Sequence, residues 1–482
     1  MRWRSVLLFL VLPAALLYPC MSFLLFEPDE GRYAEIPREM LARGEWIVPY
    51  LQGEPYLDKP PLLYWMVIGS YKLFGVHDWS ARLVPALAVH ATILLTYLLG
   101  RRSLGERAAF WGALALCLAP GFISVGKLLV LDGLLALWAT LSLLAGLEAV
   151  RANRFHRRWW TLAASACGLG FLTKGPISVV LFLAPLVLHC RLTGKARPIG
   201  WRGWLVLAGI ILGINLPWYV AMGSRLPEFG VYFFWKQNFL RFLMPFDHLE
   251  PMWFYMPILA GGLLPAFLLA IPFLRFLFSG RPHDADRRCP ELGYMVLAGG
   301  WCVLFFSLSG SKLPTYILPA FPFLALGLGY YISISSWSLS GWTKSTVGLA
   351  LVFLIGLHYL GIPWYAEFHS PMSRQEEIRR YCADNPVICY PRPCDSVAFY
   401  LGRDDFLSYR SKETKSLLTQ LKNHPRTTVI FTHRHSPDGL NSVLPAANLH
   451  MKGLTPICKS WASFFKIEEC KMAVIEQEDH EK

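Results

Sequence analysis

Ionisable side chains are scarce in this chain, and between its apolar runs they recur in a few short clusters. Asp29 and Glu30 follow the first apolar run, and Asp58 and Lys59 precede a Pro-led apolar segment. Lys127 and Asp132 lie where two runs meet, and Lys174 stands between two more. Lys236, Arg241, Asp247 and His248 share one loop, and Lys312 separates a further pair of runs. Charge in or beside membrane-depth segments is costly and is kept mainly where it is used. Cations of this kind bind phosphate, and Arg32, Lys59, Lys174, Arg241 and Lys312 are the candidates. A carboxylate beside them can take the proton of a hydroxyl nucleophile. Asp58 with His248 offers a carboxylate and an imidazole to a divalent metal, Zn or Mg/Mn. Together these groups suit transfer of a group from a lipid-linked phosphate, because a leaving phosphate develops charge that cations stabilise. No Walker loop or GxGxxG signature occurs, which argues against a soluble nucleotide donor or ATP drive. Singly, each residue has a plainer role: Lys174 as a snorkelling anchor, Asp132 as a helix cap, Asp29, Glu30 and His248 as solvated loop residues. Those plainer roles do not explain why six separate segments place charge on one side.

The elements that must position these residues are membrane helices. Of 482 residues, 54% are apolar or aromatic and 16% are charged, against about 25% charged in ordinary soluble domains. A soluble protein this apolar could not cover its surface. The formal net charge of +13 does not point to nucleic acid, because Lys and Arg sit in short alternate loops, the positive-inside pattern. A bilayer-spanning helix needs about 20 apolar residues. Eleven candidate runs cover 5–26, 81–100, 107–126, 129–150, 159–173, 176–191, 203–222, 253–276, 292–309, 313–333 and 345–363. The alternating Arg clusters put the N-terminus in the cytoplasm and the residues past the last run outside. Residues 33–43 place apolar side chains at helical spacing, as an amphipathic helix on the outer membrane face would. A Pro-led segment from residue 60 reads as a second interfacial helix.

Past residue 363 the chain turns polar. Ser373-Arg-Gln-Glu376 reads as a capping box. Val387-Ile-Cys-Tyr and Thr427-Thr-Val-Ile-Phe read as strands, and residues 413–424 as a helix. The expected fold is therefore a membrane all-α bundle of about eleven transmembrane helices with outer-face interfacial helices (1–363), plus a small extracytoplasmic α/β domain (364–482). Six of the eleven cysteines fall in or beside apolar runs. Among the five in the tail, Cys382, Cys389 and Cys394 are expected to include a disulfide in an oxidising compartment.

Glu27-Pro-Asp-Glu-Gly-Arg-Tyr-Ala-Glu-Ile-Pro-Arg-Glu-Met, Gly44-Glu-Trp-Ile-Val-Pro-Tyr-Leu and Tyr56-Leu-Asp-Lys-Pro-Pro-Leu-Leu-Tyr-Trp resemble the lipid A aminoarabinose transferases. That family belongs with the protein O-mannosyltransferases among the GT-C integral membrane glycosyltransferases. The resemblance continues in order at Leu131-Asp-Gly-Leu-Leu, Phe171-Leu-Thr-Lys-Gly-Pro, Asn215-Leu-Pro-Trp-Tyr, His248-Leu-Glu-Pro and Ser309-Gly-Ser-Lys-Leu-Pro-Thr-Tyr. It implies an inverting glycosyltransferase of a bacterial-type inner membrane, using a polyprenyl-phosphate-linked sugar donor. The acceptor is a glycolipid such as lipid A, or a protein. The resemblance implies Asp29 as the catalytic acidic residue and Asp132 as the second outer carboxylate. It gives Lys59 and Lys174 donor-phosphate contacts, places Tyr316 on the ligand side, and makes Asp58 and His248 the metal pair, with Asp58 where relatives often have Glu. A protein mannosyltransferase-like activity and a non-enzymatic lipid-linked sugar transporter are the competing readings. A transporter would place charge at the bilayer midplane and usually carry a repeat.

Overall fold

The structure, a computed structural model, describes residues 2–151, 155–194, 199–244, 247–335, 341–383, 385–433, 435–457 and 470–477. The chain divides into two compact units. The first comprises Met1–Met21, Leu57–Met66 and Arg82–His358, and the second Ser22–Tyr56, Val67–Ala81 and Tyr359–Lys482.

The first unit is helical. Each of the eleven apolar runs forms helix, but fewer qualify as spans than their number suggests. Among the described residues, six helices are long and apolar enough to cross a membrane, or up to eight when two bent pairs are each taken as one span. The bent pairs are Glu106–Cys117 with Pro120–Lys127, at 66°, and Tyr255–Gly262 with Ala266–Phe278, at 109°. The other runs fall short for physical reasons. The first helix, Arg2–Leu17, stops before the Pro19 turn. Ile177–Thr193 has 17 residues. Arg157–Lys174 opens with two arginines and closes with a lysine. Small residues bring helices together: a Cβ on Gly329 would strike the backbone of Gly112, so Phe321–Ile334 and Glu106–Cys117 pack backbone to backbone.

Lys127, read as one of the outer-face charges, is fully buried. Its Nζ donates to the carbonyls of Pro19 (2.6 Å) and His358 (3.0 Å). The His358 ring bonds the Leu16 carbonyl (2.9 Å) and the Ser124 hydroxyl (3.0 Å). These bonds tie the end of the first helix to two distant segments, so Lys127 acts as a staple.

The second unit holds the helix Asp29–Arg43 and a small α/β domain. A helix forms over the amphipathic pattern, yet three of its acids, Glu30, Glu35 and Glu39, are buried. Arg38 holds Glu35 through two bonds of 2.6 and 2.7 Å. Glu39 accepts from the backbone N–H groups of Gln52 and Gly53, at the turn between β1 (Tyr50–Leu51) and β2 (Glu54–Pro55). The tail strands are β3 (Val387–Tyr390), β4 (Leu407–Ser408), β5 (Arg426–Phe431), β6 (Leu449–Pro456) and β7 (Lys471–Gln477). They form one sheet in the order β4-β3-β5-β7-β6. β3 pairs in parallel with β4 and β5, and β7 pairs antiparallel with β5 and β6. Ile388, Val429 and Ala473 line up across the sheet on one face, and Cys389, Ile430 and Met472 on the other. Each face carries its own apolar core, as a two-sided buried sheet requires. The expected capping box at Ser373–Glu376 does not form: the Ser373 hydroxyl donates to the Ser370 carbonyl (2.7 Å), and Ser370 instead caps the turn Pro371–Arg374 by accepting from Met372 N–H (3.3 Å), ahead of the helix Gln375–Cys382. Cys382, Cys389, Cys394 and Cys470 are buried and unbridged, packed as small apolar groups. Cys458 lies outside the described residues.

Candidate donor-phosphate site

Within the first unit, five short segments bring polar side chains together. The helix Leu131–Val150 carries Asp132 in its first turn. The helix Arg157–Lys174 ends at Lys174 because Gly175 takes φ 83° and ψ −153°, a conformation essentially confined to glycine. A Cβ there would also approach the Phe233 ring to 2.9 Å. Lys174 Nζ donates to Asp132 Oδ1 at 2.5 Å and sits 3.9 Å from the centre of the Tyr316 ring. Thr315 donates to the other Asp132 oxygen at 2.9 Å. Both carboxylate oxygens are thus engaged, and the pair is nearly dry.

Asp58 and Lys59 lie just ahead of the helix Leu62–Phe74. Tyr232 donates its hydroxyl to Asp58 Oδ1 at 2.7 Å. Burial first, then that contact, holds the Tyr232 phenol well above the usual range. Burial pushes the Lys59 ammonium down to about 8, against the pull of Asp58, with Lys174 and Arg241 adding to the downward push. Gln237, buried on the π-helix Val231–Leu240, lies between the cations. With its amide oriented to suit its neighbours, the carbonyl accepts from Arg241 (3.0 Å) and Lys59 (3.3 Å). A neutral oxygen therefore occupies a point where two cations converge, and one anionic oxygen could be held there by both.

The loop after the π-helix is held by backbone and ionic contacts. Arg241 pairs with Asp247 at 2.9 Å, and Ser311 bonds the other oxygen of Asp247 at 3.2 Å. Lys312 N–H donates to the His248 carbonyl, and its Nζ to the Glu250 carbonyl at 2.8 Å. Lys312 is buried, which depresses its ammonium. Here it fastens one loop to another. His248 adopts φ 51°, and its ring lies 4.0 Å from Asp247. Among the described residues, no three His, Cys, Asp or Glu side chains are grouped to hold a metal ion. Asp58 is engaged by Tyr232, while the His248 side chain is half exposed.

Of the ten candidate residues, the first unit thus brings Asp58, Lys59, Asp132, Lys174, Arg241 and Tyr316 into one connected set. Asp29 and Arg32 belong to the second unit. There, Arg32 Nη1 lies 3.5 Å from Asp29 Oδ1. Sequence reasoning passed over Tyr232, Gln237 and Thr315. The first two sit in an aromatic stretch that reads as loop, although π-helical turns are frequent at functional sites.

A family model described as dolichyl-phosphate-mannose-protein mannosyltransferase matches residues 3–233. The undecaprenyl phosphate-α-4-amino-4-deoxy-L-arabinose arabinosyl transferase 2 of Pseudomonas fluorescens Pf-5 is 34% identical over 388 residues, covering 78% of this chain and 64% of the relative. The corresponding transferase of Yersinia pestis Pestoides F is 31% identical over 391 residues, covering 77% of this chain and 68% of the relative. The chain therefore spans about two thirds of the length of these relatives. Among solved structures, the crystal structure of ArnT from Cupriavidus metallidurans bound to undecaprenyl phosphate superposes with a TM-score of 0.77 at 21% identity, over 98% of this chain and 97% of that one. The archaeal oligosaccharyltransferase AglB of Archaeoglobus fulgidus matches at a TM-score of 0.57 and 14% identity, over 92% and 72%. Two-thirds coverage of a curated transferase at 31% identity, on the same helical fold, places the chain in the family of undecaprenyl phosphate-aminoarabinose arabinosyl transferases.

Proposed function

We propose that this protein moves an aminopentose from polyprenyl phosphate to a glycolipid acceptor of the lipid A type, at the outer face of the inner membrane. The observation that carries this reading is the connected set Lys59–Gln237–Arg241 and Lys174–Asp132–Thr315, which presents three cations from three segments beside the Tyr316 ring. In this reading the acceptor oxygen attacks the anomeric carbon of the donor. The carbon–oxygen bond to phosphate breaks, and its electron pair leaves on polyprenyl phosphate. Lys59 and Arg241 bind the phosphate oxygens, and Lys174, oriented by Asp132, stabilises the charge that develops on them. Asp29 takes the acceptor proton when the acceptor is a hydroxyl. When the acceptor is itself a phosphate, Asp29 orients it or stabilises positive charge on the sugar ring. The same reading puts the N-terminus in the cytoplasm, all eleven apolar runs at membrane depth and the tail outside.

The test is Asp29→Asn in the full-length protein, with undecaprenyl phosphate-aminoarabinose as donor and lipid A as acceptor, both saturating. Turnover should drop about 100-fold or more while expression and unfolding temperature hold, the usual scale for loss of a general base. Glu30→Gln should cost less. Wild-type turnover in Asp29→Asn would remove the catalytic assignment.

A further inference from the structure

We propose that Asp395, on the tail domain, is a positioning residue that sets the candidate base Asp29 through Arg32, which makes the tail domain part of the catalytic apparatus. This inference rests on the role assigned to Asp29 above. All the groups concerned lie in the second unit.

Three observations converge. First, the short helix Asp395–Leu401 meets the helix Asp29–Arg43 at Gly31. A Cβ there would lie 2.5 Å from the Ser396 nitrogen, so only glycine permits the approach. Second, the tail is fastened to the chain just ahead of Asp29: Ser396 N–H donates to Glu27 Oε1 at 2.6 Å, and Glu27 precedes Asp29 by two residues. Third, one cation faces two carboxylates. Arg32 Nε lies 3.9 Å from Asp395 Oδ2, and its Nη1 lies 3.5 Å from Asp29 Oδ1.

The two ends of this relay differ. The Asp395 side chain is 1% exposed and the Asp29 side chain 43%. A buried carboxylate holds its cation in one place, whereas a half-exposed one has water as an alternative. Arg32 is therefore anchored from the tail side and presents its other edge to Asp29. Glu27, on the same side, also feels the Arg32 charge. Burial first, then the Asp395 carboxylate beside it, pushes Glu27 up to about 8. Burial likewise raises the Asp395 carboxyl, and the Arg32 guanidinium pulls it back down.

The experiment is a double-mutant cycle in the full-length protein, with Asp395→Asn, Arg32→Gln and the pair. kcat and donor KM are measured with undecaprenyl phosphate-aminoarabinose and lipid A, beside unfolding temperatures. Asp395→Asn should lower kcat about 10-fold with donor KM unchanged, and the double variant should fall no further than Arg32→Gln alone. Multiplicative losses, or a wild-type kcat in Asp395→Asn, would each overturn the relay. Should Asp395→Asn fail to fold, Asp395→Glu takes its place, keeping the charge while lengthening the arm. Its loss of kcat must then vanish in the Arg32→Gln background. Asp29→Asn separates the two ideas: if it is inactive and the cycle shows no coupling, only the relay fails, whereas if it is active both fail.

Discussion

Lys59 is the residue whose chemistry depends most on its surroundings. Its ammonium is pushed down to about 8 by burial, with Lys174 and Arg241 opposing its charge. A lysine so depressed is cationic below that pH and neutral above it, so phosphate binding should weaken as pH rises through about 8. The donor kcat/KM, which reports the free enzyme, is expected to fall on that alkaline limb. Lys59→Arg should flatten it, because a guanidinium does not deprotonate. An unchanged limb in Lys59→Arg would show that another group titrates there. Lys59→Ala should cost about 100-fold in kcat/KM at neutral pH, as removal of an electrostatic donor does. Thr315 makes a subtler case. Its hydroxyl is one of two donors on Asp132, and Thr315→Val leaves that oxygen short of a partner in a nearly dry place. A loss of roughly 5- to 10-fold in kcat/KM is expected, from about 1 to 1.5 kcal/mol. No loss would mean that Lys174 is held well enough by other contacts.

At the scale of elements, the helices were legible from apolar runs, because burying apolar side chains needs only composition and period. The number able to span was less so. Among the described residues, length and charge at helix ends reduce the eleven runs to six clear spans, or eight with the bent pairs. The tail strands Val387–Tyr390 and Arg426–Phe431 and the helix Thr414–Lys422 fall where turn residues and β-branched runs put them. The candidate site was half legible. Charged residues stand out in an apolar chain, so Lys59, Asp132, Lys174 and Arg241 could be named. Their neutral partners could not, since Tyr232, Gln237 and Thr315 look like any polar residue until the fold brings them to a charge. Gly175 shows how an element places a candidate phosphate-binding group. Its φ of 83° and ψ of −153° end the helix at Lys174. Gly175→Ala therefore strains the backbone by about 1–3 kcal/mol and meets the Phe233 ring. The unfolding temperature of the purified protein should fall by several degrees and the donor KM should rise. An unchanged unfolding temperature would show that the turn relaxes without cost.

For the whole molecule, orientation decides whether these groups face the compartment in which lipid-linked sugars are consumed. The described tail thiols are buried, so labelling them would report unfolding, not sidedness. A cysteine introduced at exposed Lys415 avoids this. It should react with a membrane-impermeant maleimide from the outer side of intact cells with the inner membrane sealed, and reaction only from the cytoplasmic side would invert the topology. Glycosyl transfer itself is tested most directly with the purified full-length protein, undecaprenyl phosphate-aminoarabinose and lipid A, followed by mass spectrometry of both lipids. Equimolar appearance of undecaprenyl phosphate and aminopentose-modified lipid A, abolished by Lys174→Ala, is the expected result. A donor that remains intact, or that crosses vesicle membranes without being cleaved, would contradict it.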